Sequence, residues 1–282
     1  RPKRAHPLGG RRRRRQGADM SGAFLLDGVR VPFDDGDTVI AAAARAGHEI
    51  PHLCWHPALG QSGACRLCTV RVDGRLAAAC TTRAADGQVV ECRSRDLDER
   101  RRLLVQLLFV EGNHFCPGCE KSGDCRLQDA GYAFGVTGPG FEEFYPRRPV
   151  DASHPDVWLD LNRCILCKLC LRASREVDGK GVFAISGHGV GTHIVVDSAS
   201  GLLGDSRLAA DDLAAHICPV GAILPKRRGY AVPIGARPAD LRDQSGPRAG
   251  VHVSAAPASA APALPATPAA CGAATRGPEA DD

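Results

Sequence analysis

Cys164, Cys167 and Cys170 recur at every third position, and Cys218-Pro219 follows 48 residues after Cys170. Three cysteines at i, i+3 and i+6 can wrap one corner of an iron–sulfur cube, with the Cys-Pro supplying the fourth vertex. This is the most specific pattern in the chain. It argues against zinc and against a purely structural role for the four thiols.

Two further groups precede it. Gly112 to Gln128 is a glycine-rich, proline-containing loop that holds His114, Cys116, Cys119 and Cys125 within a dozen residues. Cys54, Cys65, Cys68 and Cys80 are spaced C-x10-C-x2-C-x11-C. Four thiolates on loops at one sheet edge suit a [2Fe–2S] rhomb, in which each iron needs two sulfurs. A zinc site from the same four is the competing reading, but zinc commonly uses two close pairs, and here there is one pair and two singles. The spacing also departs from the plant-type C-x4-C-x2-C run. Cys92 and Cys271 are left over and are expected to be ordinary thiols.

Thirteen cysteines among 282 residues suit a reducing compartment with thiolates held by metal better than a secreted disulfide scaffold. No cleavable signal sequence or membrane-length apolar run is visible, and a cytoplasmic location is expected. The formal net charge of +4 is local: residues 1–19 hold eight Arg and Lys against one Asp, so Met20–Asp282 carries −3. Nucleic-acid binding by the folded part is therefore not expected. Residues 1–19 read as a disordered basic arm, with Met20, the single methionine, as the expected true start. The arginine run lacks the apolar stretch that a twin-arginine signal requires after it.

The organisation expected is α+β. Ala23–Leu26 and Val29–Phe33 flank Asp27-Gly28, a strong hairpin signal. Asp37 or Thr38 caps a short helix through Ala46, and strands follow at Cys68–Val72, Leu76–Thr82 and Gln88–Glu91. Residues 20–96 are thus expected to form a β-grasp, [2Fe–2S] ferredoxin-like domain. A helix from Asp96 or Asp98 to about Val110 uses Leu103, Leu104, Leu107 and Leu108 as its apolar face, with Arg100–Arg102 solvated. It leads into a small unit, 97–137, that holds the one-His/three-Cys group, where a second helix begins near Cys125. Residues 138–150 read as a linker.

Residues 151–237 read as a ferredoxin-like [4Fe–4S] domain, with short strands at Val182–Ser186 and Thr192–Asp197. A bacterial two-cluster ferredoxin would add cysteines where this chain has Ser174, Leu208, Asp211 and Ala214, so one of two clusters is expected. Residues 238–282 read as a disordered Ala/Pro-rich tail. Gly187-His-Gly-Val-Gly-Thr lacks the full dinucleotide spacing and reads as a turn. His52 and His56 flank Cys54 and read as surface or supporting residues; His154, His188, His193 and His216 have no constellation around them.

The order of the three groups, with Glu111-Gly-Asn-His-Phe-Cys-Pro-Gly-Cys-Glu-Lys-Ser-Gly, Arg163-Cys-Ile-Leu-Cys, Ile217-Cys-Pro-Val-Gly and Lys226-Arg-Arg-Gly-Tyr…Pro-Ile-Gly, resembles the small diaphorase (gamma) subunit family of NAD-reducing bidirectional [NiFe]-hydrogenases. It is more distantly similar to the N-terminal region of the large iron–sulfur subunit of respiratory complex I. The resemblance spans about Leu25 to Arg237. It implies one [2Fe–2S] cluster on Cys54, Cys65, Cys68 and Cys80, and two [4Fe–4S] clusters, on His114, Cys116, Cys119 and Cys125 and on Cys164, Cys167, Cys170 and Cys218. Only Phe115 separates His114 from Cys116, whereas the complex I pattern leaves three residues there.

With no flavin or nucleotide fingerprint in the sequence, the chain is expected to carry out no bond chemistry itself and to have no catalytic residue. The resemblance implies that it would relay electrons between an FMN- and NAD(H)-binding diaphorase partner and the hydrogenase small subunit. The alternatives are the equivalent subunit of an NAD-dependent formate dehydrogenase or complex I-like assembly, and, from a different class, a zinc-binding scaffold.

Overall fold

A computed structural model of the chain describes residues 22–227 and residue 236. The basic arm, the Ala/Pro tail, Cys271 and most of the Lys226-Arg-Arg-Gly-Tyr string lie outside the described residues.

Two Asp-Gly turns organise the first unit. β1 (Gly22–Leu26) and β2 (Val29–Phe33) pair antiparallel through Asp27-Gly28, and β3 (Thr69–Val72) and β4 (Arg75–Ala78) do so through Asp73-Gly74. Both residues of each turn have positive φ, as a tight hairpin of this twist requires. The turn aspartates also bind neighbouring strand backbone. Asp27 Oδ1 accepts from the Cys92 N–H at 2.7 Å, and Asp73 Oδ1 from the Val89 N–H at 2.9 Å. β5 (Val89–Glu91) then inserts between the hairpins, parallel to β1 and antiparallel to β3, giving the order β2-β1-β5-β3-β4. α1 (Val39–Arg45), capped by Thr38, covers this sheet with Val39, Ile40, Ala42 and Ala43.

α2 (Arg95–Glu111) departs from the expected face. Leu103 and Leu107 are exposed, while Leu97, Arg101, Val105, Gln106 and Val110 are buried; Leu104 and Leu108 are only partly covered. The reason is that α2 has two packing partners. Its Arg101 side rests on the first unit, and Leu104, Leu108 and Phe109 lie against an apolar cluster shared with the cysteine-bearing loops. Arg101 is therefore not part of a solvated face. α3 (Arg126–Ala133) packs on α2. Gly138–Pro149 is strapped down rather than free: the Phe144 N–H donates to Val110 O at 2.8 Å, and Arg148 reaches Glu111 and the Cys164 carbonyl.

The last unit has β6 (Val150–Asp151), β7 (Val157–Asp160) and β10 (Ile223–Pro225) in the order β10-β7-β6, a hairpin of β8 (Phe183–Ser186) and β9 (His193–Val196), and helices α4 (Leu169–Glu176) and α5 (Leu213–His216). Where a second cluster would sit, Ser174 is fully buried and its Oγ accepts the Val182 N–H at 2.8 Å, while Leu208 and Ala214 belong to the core. Close packing by small and aliphatic side chains has taken that space. Gly187-His-Gly-Val-Gly closes the β8–β9 hairpin. A Cβ on Gly187 would lie 2.2 Å from Gly191 O, so the glycine serves a tight turn.

Candidate metal-cluster sites

The first group is set on loops at one edge of the five-stranded sheet. Hydrogen bonds link Cys54 to Cys65 and Cys80, and Cys68 to Cys80, so all four thiols converge. Within the quartet, hydrogen bonds from Cys65 and Cys80 push the Cys54 thiol down, and the same bonds push Cys65 and Cys80 up. Its bond with Cys80 brings Cys68 down to about 7. Backbone amides point at sulfur as well: Cys65 N–H to Cys54 Sγ at 3.3 Å and Leu53 N–H to Cys65 Sγ at 3.4 Å. Arg66, at φ 58°, bends the loop between Cys65 and Cys68.

The second group lines one small cavity. His114, Cys116, Cys119 and Cys125 all face it, with Gln128, Arg163 and Gly221 completing the wall. His114 O accepts the Cys116 N–H at 2.8 Å, a turn tight enough to bring both side chains to the same cavity despite the single intervening residue. Nε2 of His114 is buried without a hydrogen-bond partner, and burial pushes the imidazole down to about 4, so the ring is neutral at pH 7. A buried orphan nitrogen costs on the order of 1–3 kcal/mol unless something binds it. A cluster iron would bind it. Gly112 keeps this nitrogen open, since a Cβ there would lie 2.6 Å from it. Cys125 caps α3, and burial pushes its thiol up to about 12.

The third group lines a second, strongly apolar cavity, formed by Cys164, Cys167, Cys170 and Cys218 with Leu159, Leu161, Ile165, Ile194, Val220 and Ile223 among its walls. Leu166 and Lys168 adopt left-handed backbone, φ 52° and 64°, and so curl the C-x2-C-x2-C segment around the cavity. The Leu166 N–H lies 3.4 Å from Cys164 Sγ. Burial pushes Cys164 up to about 11 and Cys167 and Cys170 well above the ordinary thiol range. Buried thiols so disfavoured as anions need cationic charge at the cavity centre before they can ionise, and bound metal supplies it. Among the described residues no three His, Cys, Asp or Glu side chains are arranged for a single metal ion.

The three sites share walls. One apolar cluster, built on Leu53, Leu67, Val105, Leu127, Ala130, Val220 and Ala222, packs against Cys65, Cys125, Cys164 and Cys218, so it touches every group. A second joins Cys54 and Cys65 to all four cysteines of the third group. The third group also borders the second directly: Arg163 Nη1 lies 3.6 Å from Cys119 Sγ, and the Arg126 N–H donates to Pro219 O at 2.9 Å. None of these cross-contacts is visible as a motif in the sequence.

Cys92, His154 and His52 serve the packing and hydrogen bonding of the fold. Cys92 is buried, its thiol pushed up by burial. His154 accepts the Asp156 and Val157 N–H groups on Nδ1, and its Nε2 faces Leu208 O. His52 is half-buried; its Nε2 accepts from Arg126 at 2.7 Å, which leaves Nδ1–H to donate to Ile50 O. No helix among the described residues is long and apolar enough to cross a membrane.

Comparison with known proteins follows the same division. Family models match residues 23–95 (2Fe-2S iron-sulfur cluster binding domain), 101–139 (NADH-ubiquinone oxidoreductase-G iron-sulfur binding region) and 157–224 (4Fe-4S single cluster domain). The gamma subunit of the NAD-reducing hydrogenase HoxS of Cupriavidus necator is 39% identical over 224 residues, covering 79% of this chain and 95% of the relative. The mitochondrial NADH-ubiquinone oxidoreductase 78 kDa subunit of Candida albicans is 32% identical over 77% of this chain, which spans only 30% of that relative. A crystal structure of an NAD+-reducing [NiFe]-hydrogenase in the H2-reduced state contains a chain 54% identical, with a TM-score of 0.75, covering 78% of this chain and 94% of that one. With α+β ferredoxin-like units carrying the cysteine groups in this order, the chain belongs to the family of the NAD-reducing hydrogenase gamma subunits, which share their iron–sulfur architecture with the 78 kDa subunit of NADH-ubiquinone oxidoreductase.

Proposed function

We propose that this chain is the electron relay of an NAD-linked hydrogenase. Cys54, Cys65, Cys68 and Cys80 hold one [2Fe–2S] cluster. His114, Cys116, Cys119 and Cys125 hold one [4Fe–4S] cluster, and Cys164, Cys167, Cys170 and Cys218 another. Iron–sulfur clusters supply reversible one-electron steps. The chain's own residues fix the clusters, shut out water and set their charge environment. The observation that carries the reading is the single apolar cluster that packs on cysteines of all three groups. Such a dry, close-packed medium suits transfer between buried centres and not independent structural metals.

The third group shares both apolar clusters with the first and meets the second through Arg163 and Pro219, while His52 and Arg126 join the first group to the second, so every pair of groups is linked by packing. The outer partners are an FMN/NAD(H)-binding diaphorase subunit and a hydrogenase small subunit, in the cytoplasm. The length match of 95% to the hydrogenase relative, against 30% to the 78 kDa relative, favours this branch.

Anaerobic purification tests the reading. Brown protein with about ten iron atoms per chain is expected, and colourless protein with stoichiometric zinc overturns it. Affinity purification from the native host should bring down flavin-binding and hydrogenase chains.

A further inference from the structure

Arg163 occupies a position that neither the cysteine pattern nor the family comparison assigns a role. It precedes Cys164 of the third group, yet its side chain turns into the wall of the second cavity. Nη1 lies 3.6 Å from Cys119 Sγ and 3.0 Å from Glu120 Oε2. Nε lies 3.0 Å from Asp160 Oδ2, and the guanidinium sits 5.2 Å from the centre of the Trp158 ring. The side chain is 17% exposed, so its charge is weakly screened. Gly221 completes the arrangement, since a Cβ there would lie 2.8 Å from Cys119 Sγ and 3.4 Å from Nη1. The guanidinium is thus held from three sides against one thiolate of the proposed His/Cys cluster.

We propose that Arg163, with Glu120 as its counterweight, sets the reduction potential of the cluster held by His114, Cys116, Cys119 and Cys125; this rests on the electron-relay reading above. Adding one electron makes a cluster more negative by one charge. A fixed cation hydrogen-bonded to a ligand sulfur stabilises the reduced form more than the oxidised form and raises the potential. Glu120 draws on the same Nη1 and opposes that effect. Arg163 is a positioning residue in this scheme: it neither ligates iron nor touches a substrate.

The test is an EPR-monitored redox titration of the full chain, purified anaerobically, as wild type, Arg163→Gln and Glu120→Gln. Removing the cation should lower the midpoint of the second cluster alone, and removing the carboxylate should raise it. Opposite shifts are the signature, because simple loosening of the site would not change sign between the two. Should Arg163→Gln lose the cluster, Glu120→Gln decides: an upward shift supports the proposal, and no shift or a downward one overturns it. Wild-type protein without three clusters would instead overturn the relay reading itself.

Discussion

Arg101 Nη1 donates to the carbonyl oxygen of Cys92 at 2.7 Å, and through that bond helix α2 is fastened to the sheet of the first unit. The rest of the guanidinium is spent on the same task. Nη2 reaches Thr69 O at 2.9 Å and Nε reaches Leu67 O at 3.3 Å, on either side of Cys68. Asp98 balances the charge at 2.9 Å. The side chain is 2% exposed. Replacing Arg101 with Met leaves three buried carbonyl oxygens without this donor, and a loss of roughly 3 kcal/mol is expected. Urea unfolding of the variant against wild type measures it; a loss below about 1 kcal/mol would show that the carbonyls find other partners.

How far the sequence revealed this arrangement depends on the kind of interaction. The hairpins were legible because Asp-Gly at positions 27–28 and 73–74 demands positive φ, a local property. The close cysteines, such as Cys65 and Cys68 or Cys164, Cys167 and Cys170, were legible because their spacing is also local, whereas Cys218 lies 48 residues beyond Cys170. Arg101 was not: within Arg100-Arg101-Arg102 nothing distinguishes the residue that turns inward from its solvated neighbours. The Leu103 and Leu107 positions misled for a related reason, since α2 answers to two packing partners and period alone presumes one. Contacts such as Arg163 to Cys119 join residues 44 apart and exist only once the units are docked.

Asp37 gives the first unit a pH dependence. Burial would raise its carboxyl, but the Arg45 guanidinium at 2.5 Å and the Asp34 N–H at 2.8 Å outweigh this and hold it below the ordinary carboxylate range. A lowered folded value means the unfolded chain binds more protons on acidification. The stabilisation is therefore complete above about pH 4 and is lost as pH falls through the folded value. Asp37→Asn should cost about 1 kcal/mol at pH 7 and show a smaller difference from wild type near pH 3. Thermal melts across that range check it. A penalty independent of pH would place the effect in packing alone.

In the proposed second cluster His114 would be a neutral donor beside three thiolates. Its imidazole, lowered to about 4 by burial, is neutral at pH 7. Exchanging neutral imidazole for a thiolate makes the cluster more negative. His114→Cys should lower the midpoint of that cluster by on the order of 100 mV, by analogy with the higher potentials of centres in which histidines replace cysteines. EPR titration reads the change directly; an unchanged or higher midpoint would sink the assignment of His114 as a ligand.

Gly221 tests the geometry of the same site without touching a ligand. Its backbone has no positive φ, so alanine is conformationally acceptable and only the added methyl matters. That methyl would stand 2.8 Å from Cys119 Sγ and 3.4 Å from both Arg163 Nη1 and Lys121 Cβ. Cys119 must then move or the segment after Pro219 must retreat, and either change pulls one donor off the cavity. Gly221→Ala is expected to lose the second cluster selectively. Iron should fall from about ten toward about six atoms per chain, with the first and third clusters still visible by EPR. Full iron content with an unaltered second-cluster spectrum would mean that Cys119 is not the donor that closes this cavity.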